Sequence, residues 1–269
     1  MVLALGPYGA TTKPGSEYSG LYPKPYGFGS VLEPGSSNSS SLSSDDESAE
    51  DALYEWHKAR LESYRKSERW GEVEWVGYET IPLIREIKAI RRALASFDST
   101  SGGGKEKEGV KAKGPKVWIA CTFPDGLSPQ TKEDGGRYTV EDTVRALLEG
   151  EEGSPDGVGI NCTNPAFLPA LIRKFNDTLH SITPTPSPRA RPWFVVYPDG
   201  GQVYDPISRT WSKERLTAQE WADRMMEVVI SVDESGLWEG LIVGGCCKTS
   251  ADEIKELRRR VDEYVSDNK

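Results

Sequence analysis

Three thiols carry most of the chemistry this sequence offers. Cys246 and Cys247 are adjacent in Gly244-Gly245-Cys246-Cys247, directly after the apolar run Leu241-Ile242-Val243, and Cys162 follows a second such run in Gly157-Val158-Gly159-Ile160-Asn161. A catalytic zinc site takes three protein ligands, thiolates among them, and leaves one position open. Two glycines before Cys246 let the backbone turn so that neighbouring side chains can point at one centre. The set therefore reads as a zinc site made by Cys162, Cys246 and Cys247, against the plainer reading that cysteines are small buried hydrophobes. For the fourth cysteine, Cys121, the plainer reading is preferred. Three thiolates leave the metal a weak Lewis acid, while a fourth thiol, from a substrate, would bind as thiolate at neutral pH. Such a thiolate attacks activated alkyl groups, so the implied reaction is alkyl transfer to a thiol.

Glu79 is the acidic candidate. It ends the apolar stretch Trp75-Val76-Gly77-Tyr78, and a carboxylate in such a place needs a partner. A substrate ammonium would serve, as would a neighbouring Arg or Lys. Tyr8, Tyr197 and Asn161 are further candidates for lining the pocket, each with packing or loop-tying as its alternative. Asp125 and Asp199 precede glycines, and turn chemistry explains them as well as function does. Other motifs fail. Gly102-Gly103-Gly104-Lys105 has Glu106 where a phosphate loop needs Ser or Thr, and no G-x-G-x-x-G follows a strand. Of the two histidines, His57 and His180, His57 lies on the apolar side of a helical segment and reads as a packed residue.

The elements that would position these residues are legible. Strand character marks Val2–Leu5, Val73–Tyr78, Val117–Thr122, Gly157–Ile160, Trp193–Val196 and Leu241–Val243. Their near-continuous apolarity suits strands buried on both faces of a parallel sheet. Amphipathic helical segments alternate with them at Ala52–Arg65, Leu83–Leu94, Val140–Leu148, Pro165–Phe175, Thr217–Val232 and Ser250–Tyr264. Thr217 with Glu220, and Ser250 with Glu253, read as capping boxes. Six strand–helix repeats imply right-handed parallel crossovers, in an open doubly wound sheet or a βα barrel. All six strands end in Gly, Pro, Asn, Glu or Cys motifs. An open sheet concentrates such motifs at one switch point, whereas a barrel spreads its site over the C-terminal ends of its strands. The barrel is favoured, with polar inserts at about 36–50, 99–113 and 183–191 expected as mobile loops.

Bulk properties exclude several classes. A formal net charge of -9 without a basic stripe argues against nucleic acid. No apolar stretch approaches the ~18 residues needed to span a bilayer, and the first residues lack the basic region of a secretion signal. A cytoplasmic, reduced protein is expected, and a disulfide framework is not.

In this order the motifs resemble the homocysteine S-methyltransferase family. The stretches that carry the resemblance are Leu3-Ala4-Leu5-Gly6-Pro7-Tyr8-Gly9-Ala10, Glu17-Tyr18-Ser19-Gly20-Leu21-Tyr22, Glu79-Thr80-Ile81-Pro82, Gly159-Ile160-Asn161-Cys162-Thr163, Val196-Tyr197-Pro198-Asp199-Gly200-Gly201 and Gly244-Gly245-Cys246-Cys247. The resemblance implies a (βα)8 TIM-type barrel, zinc on Cys162, Cys246 and Cys247, and Glu79 binding the substrate amino group. It implies methyl transfer from S-methylmethionine or S-adenosylmethionine to homocysteine, giving methionine. The family's first two βα units, with an Asp-Gly-Gly-type motif, find no match, so an incomplete barrel of six units is expected. A non-catalytic zinc-binding remnant is the alternative.

Overall fold

The computed structural model describes residues 1–27, 42–99, 114–132, 135–150, 153–182, 190–205, 210–212 and 215–268. Residues 36–41 of the first insert, nearly all of the second and most of the third, with the glycine-rich stretch at Gly102–Lys105, lie outside these residues, whereas 42–50 of the first form helix instead of the expected loop. Six strands form one parallel sheet: β1 (Val2–Leu5), β2 (Trp75–Ile81), β3 (Lys116–Cys121), β4 (Gly157–Asn161), β5 (Trp193–Tyr197) and β8 (Leu241–Val243), in spatial order β1-β2-β3-β4-β5-β8. The intervening β6 (Tyr204–Asp205) and β7 (Thr210–Trp211) make a separate two-stranded antiparallel pair. The helices are α1 (Leu42–Arg65), α2 (Ile84–Ser99), α3 (Val140–Leu148), α4 (Leu168–Ile182), α5 (Ala218–Ser235) and α6 (Ala251–Asn268), each packed on the next.

Alternation along the strands explains why the helices gather on one side. Leu5, Val76, Tyr78, Ile119, Cys121, Val158, Ile160, Phe194 and Val196 share one core with Leu61 of α1, Ile87 and Ile90 of α2, Val144 and Leu147 of α3, Leu171 and Phe175 of α4, Trp221 and Met225 of α5, and Leu257 of α6. The opposite face has its own cluster, in which Trp118, Ala120 and Val195 pack with Trp75, Tyr197 and Ile242. Strands in sequence order, helices on one face and a side-chain-filled inner face are barrel features, not those of a doubly wound sheet. The unit is six consecutive βα repeats of TIM type, open among the described residues, with β1 and β8 at its edges. Gly77 is required by this inner layer, because any β-carbon there would collide with the Trp118 ring.

Most of the expected elements hold, and the capping boxes explain several boundaries. Thr217 accepts from the Glu220 amide while Glu220 accepts from that of Thr217, which starts α5. The Ser250 amide donates to Glu253 at 2.8 Å ahead of α6. The Asn164 side chain caps a short 3₁₀ turn, Pro165–Phe167, that leads into α4. The clearest difference is α1, which begins at Leu42 instead of Ala52. Its acidic first turns find partners on α2: Asp46 with Arg85 at 3.1 Å, and Glu50 and Asp51 with Arg92 at 2.9 Å each. Nearby, the fully buried Glu86 carboxylate accepts from the Tyr8 amide at 2.7 Å and the Tyr22 hydroxyl at 2.6 Å, and lies 3.0 Å from His57 Nε2. His57 is thus a packed residue with a polar partner. No described helix is long and apolar enough to cross a membrane.

Candidate metal centre

Cys162 leaves the end of β4 with φ 46°, and its amide donates to the Tyr197 carbonyl at 3.2 Å. After β8 the chain continues in step with β5: the Gly244 amide donates to Val196 O at 3.0 Å and that of Cys246 to Pro198 O at 2.7 Å. It then turns, with Thr249 donating both its amide and its hydroxyl to the Cys246 carbonyl. Thr249 folds so tightly onto Gly245 that no β-carbon fits there. The β4 and β8 ends thus bring three sulfurs within 4.8 Å of one another, at half-buried to buried positions.

This donor set fits a thiophilic ion. Tetrahedral zinc with Zn–S bonds of ~2.3 Å places its sulfurs about 3.8 Å apart, and Cys246 and Cys247 are separated by 4.0 Å. Cys162 and Cys246 are drawn closer still, with Cα atoms 5.7 Å apart. Both lie at strand ends on one rim, within reach of either a disulfide or a shared metal ion. A disulfide and metal ligation are alternative uses of the Cys162 and Cys246 sulfurs; Cys247 lies outside that pair, and metal ligation would engage its free thiol as well. Cys121, by contrast, is fully buried in the helix-side core, and burial drives its pKa up.

Two carboxylates lie at the C-terminal ends of the strands, Glu79 on β2 and Asp199 after β5. Glu79 projects from β2 on the face of Trp75 and Gly77. Burial raises its pKa, opposed by a hydrogen bond from the Tyr197 hydroxyl. Tyr197 also receives the Trp118 indole N–H at 3.4 Å, and burial followed by the Glu79 charge pushes its own pKa up. Asp199 accepts the Gly201 amide at 2.7 Å, confirming the turn role, but burial also raises its pKa to about 6. Tyr18, quoted above in a family-like stretch but given no role there, hydrogen-bonds to Cys247; burial and the Cys247 charge raise its pKa, with Asp199 a smaller contribution. Asn161 is 1% exposed, and its side chain engages Thr80 of β2, two strands away on the same rim, at 2.7 Å in both directions. Tyr8 sits in an aromatic group with Tyr22, Tyr26 and Trp56.

Strain collects at this rim. Thr80, Cys162 and Lys248 have positive φ, at 60°, 46° and 66°. Left-handed backbone at a non-glycine residue costs roughly 1–2 kcal/mol each, and such residues cluster where function demands a particular geometry.

The homocysteine S-methyltransferase family model matches residues 1–261. The chain is similar to homocysteine S-methyltransferase YbgG of Bacillus subtilis (27% identical, covering 94% of this chain and 59% of that protein). It is similar also to homocysteine S-methyltransferase 3 of Arabidopsis thaliana (25%, covering 98% and 57%). In fold it is similar to the metallated form of the homocysteine methyltransferase MmuM from Escherichia coli, with a TM-score of 0.52 at 21% identity over 96% of this chain and 59% of that one. The chain spans about three-fifths of the length of these relatives. With nearly its whole length matched by the family model, the chain belongs to the homocysteine S-methyltransferase family.

Proposed function

We propose that this chain forms the zinc-binding part of an enzyme that transfers a methyl group from a sulfonium donor, S-methylmethionine or S-adenosylmethionine, to the thiol of homocysteine. The observation that carries the reading is the convergence of Cys162, Cys246 and Cys247 on the C-terminal rim of a parallel sheet that also carries Glu79. A related fold solved in a metallated form supports the metal. Zinc, when bound, supplies the positive charge that keeps a substrate thiol ionised at neutral pH.

The chain's own residues would do the rest. Glu79, held by the Tyr197 hydroxyl, presents a half-buried carboxylate to the homocysteine ammonium, which would offset its desolvation. Asn161 supports this arrangement from behind. Tyr18 lies against Cys247. In the reaction the thiol proton leaves to solvent, the sulfur forms the new S–CH₃ bond, and the sulfonium departs as a neutral thioether. A reducing, cytoplasmic setting would keep the Cys162–Cys246 pair open for the metal.

The second reading is a zinc-binding form without methyltransferase activity. It draws on the three-sulfur cluster alone, which can hold a thiophilic ion without any reaction following. Incubating the purified, reduced chain with zinc, homocysteine and each donor, and measuring methionine by mass spectrometry, decides between them. Zinc-dependent methionine formation is expected. Stoichiometric zinc without methionine would leave the second reading, and absence of zinc binding would remove both.

A further inference from the structure

Strand β2 is irregular where its side chains enter the site. Its pairing with β3 runs in step from Trp75 to Tyr78, which lies opposite Ile119, and resumes with Ile81 opposite Cys121. Three steps along β2 therefore span two along β3, and the extra residue falls at Glu79–Thr80. A bulge of this kind bends its strand and re-aims side chains. Thr80 takes φ 60° there, a conformation its branched side chain resists.

Asn161 holds that conformation from β4, on the far side of β3. Its Oδ1 accepts the Thr80 amide and its Nδ2 donates to Thr80 Oγ1, both at 2.7 Å and both buried. The bulge takes the Thr80 N–H out of the regular ladder, and the Asn161 amide provides the acceptor that a buried N–H requires. We infer that Asn161 is a positioning residue for Glu79: by clamping Thr80 it fixes the direction in which the adjacent carboxylate meets the substrate amino group. The inference rests on the function proposed above. It makes Asn161 act through Thr80 and Glu79, although Asn161 also precedes the ligand Cys162 in the chain.

Calorimetry on the reduced, zinc-loaded full chain separates these roles. The probes are homocysteine and 4-mercaptobutanoate, which has the same thiol and carboxylate but no amino group. Asn161→Ala is expected to weaken homocysteine binding about tenfold, the scale of one lost charge-assisted contact. It should leave 4-mercaptobutanoate binding and zinc content within about twofold of wild type. Glu79→Gln should show the same selectivity, and the double variant should be no weaker than Glu79→Gln alone, since the two act as one unit. If Asn161→Ala does not fold, Thr80→Val keeps the branched shape, removes only the Oγ1 contact, and should weaken homocysteine alone by roughly threefold. Equal weakening of both probes, loss of zinc, or additive effects with Glu79→Gln would overturn the inference. A wild-type chain that binds zinc but not homocysteine would overturn the functional reading and this inference with it. Wild-type binding unchanged by Asn161→Ala would overturn this inference alone.

Discussion

At the N-terminal ends of the strands, ordinary contacts hold a regular backbone. The Lys116 ammonium lies over the rings of Trp75 and Trp193 at 5.2 and 5.5 Å, and Asp156 accepts the Val117 amide at 2.9 Å. At the C-terminal ends the same strands run into a bulge, three sulfurs, buried Asn161 and Thr80, and every non-glycine residue with positive φ among those described. One end satisfies its groups cheaply; the other holds groups in costly arrangements that stability alone does not call for. This is the division expected of a βα unit whose chemistry sits on one rim.

Substitutions at the two ends should therefore fail differently. Phe194, the second residue of β5, is fully buried against Phe175 and Trp238. Phe194→Ala should cost about 3–5 kcal/mol in chemical denaturation, with the folded fraction still binding zinc stoichiometrically. At the other end, Cys247→Ser removes a half-buried thiol of the proposed metal site. Zinc affinity should fall on the order of 100-fold or more, while metal-free stability stays within about 1 kcal/mol, because metal binding energy and ligand number are linked. Undiminished stoichiometric zinc in that variant would remove the site. A matched pair on β2 narrows the comparison. Val76→Gly empties a buried core position and should cost about 3 kcal/mol. Thr80→Gly loses a hydrogen bond worth about 1 kcal/mol but relieves left-handed strain of similar size, leaving stability nearly unchanged.

How far the sequence disclosed these ends depends on the range of the interactions. The six strands were legible because Val, Ile and aromatic residues concentrate between glycines and prolines. The Thr217–Glu220 and Ser250–Glu253 caps were legible because their partners are three residues apart. The cysteines could be placed on a common rim because all three follow strand ends. The first turns of α1 were hidden because Ser and Asp there read as a polar insert until Arg85 and Arg92 of α2 supply partners. Asn161 reads as a pocket residue by position, since nothing local announces a contact with Thr80 across 81 residues. The same holds for Glu86, whose partners Tyr8, Tyr22 and His57 come from two other segments, and for Tyr18 beside Cys247.

The smallest predicted effect tests whether the N-terminal end is as separate from the chemistry as its contacts indicate. Lys116 is the first residue of β3, half-buried, with its ammonium over two indole rings. Met at this position keeps an unbranched apolar stem across Trp75 and Trp193 and removes only the charge. Lys116→Met should therefore cost about 0.5–1 kcal/mol, the range for a partly exposed cation–π contact. The loss should be read as a shift in denaturation midpoint at unchanged slope, since the surface exposed on unfolding is the same. Zinc affinity should not move. If it fell in proportion to stability, the inner aromatic layer, through Trp118 and its bond to Tyr197, would be transmitting strain from one end of the strands to the other, and the two ends would be one cooperative unit.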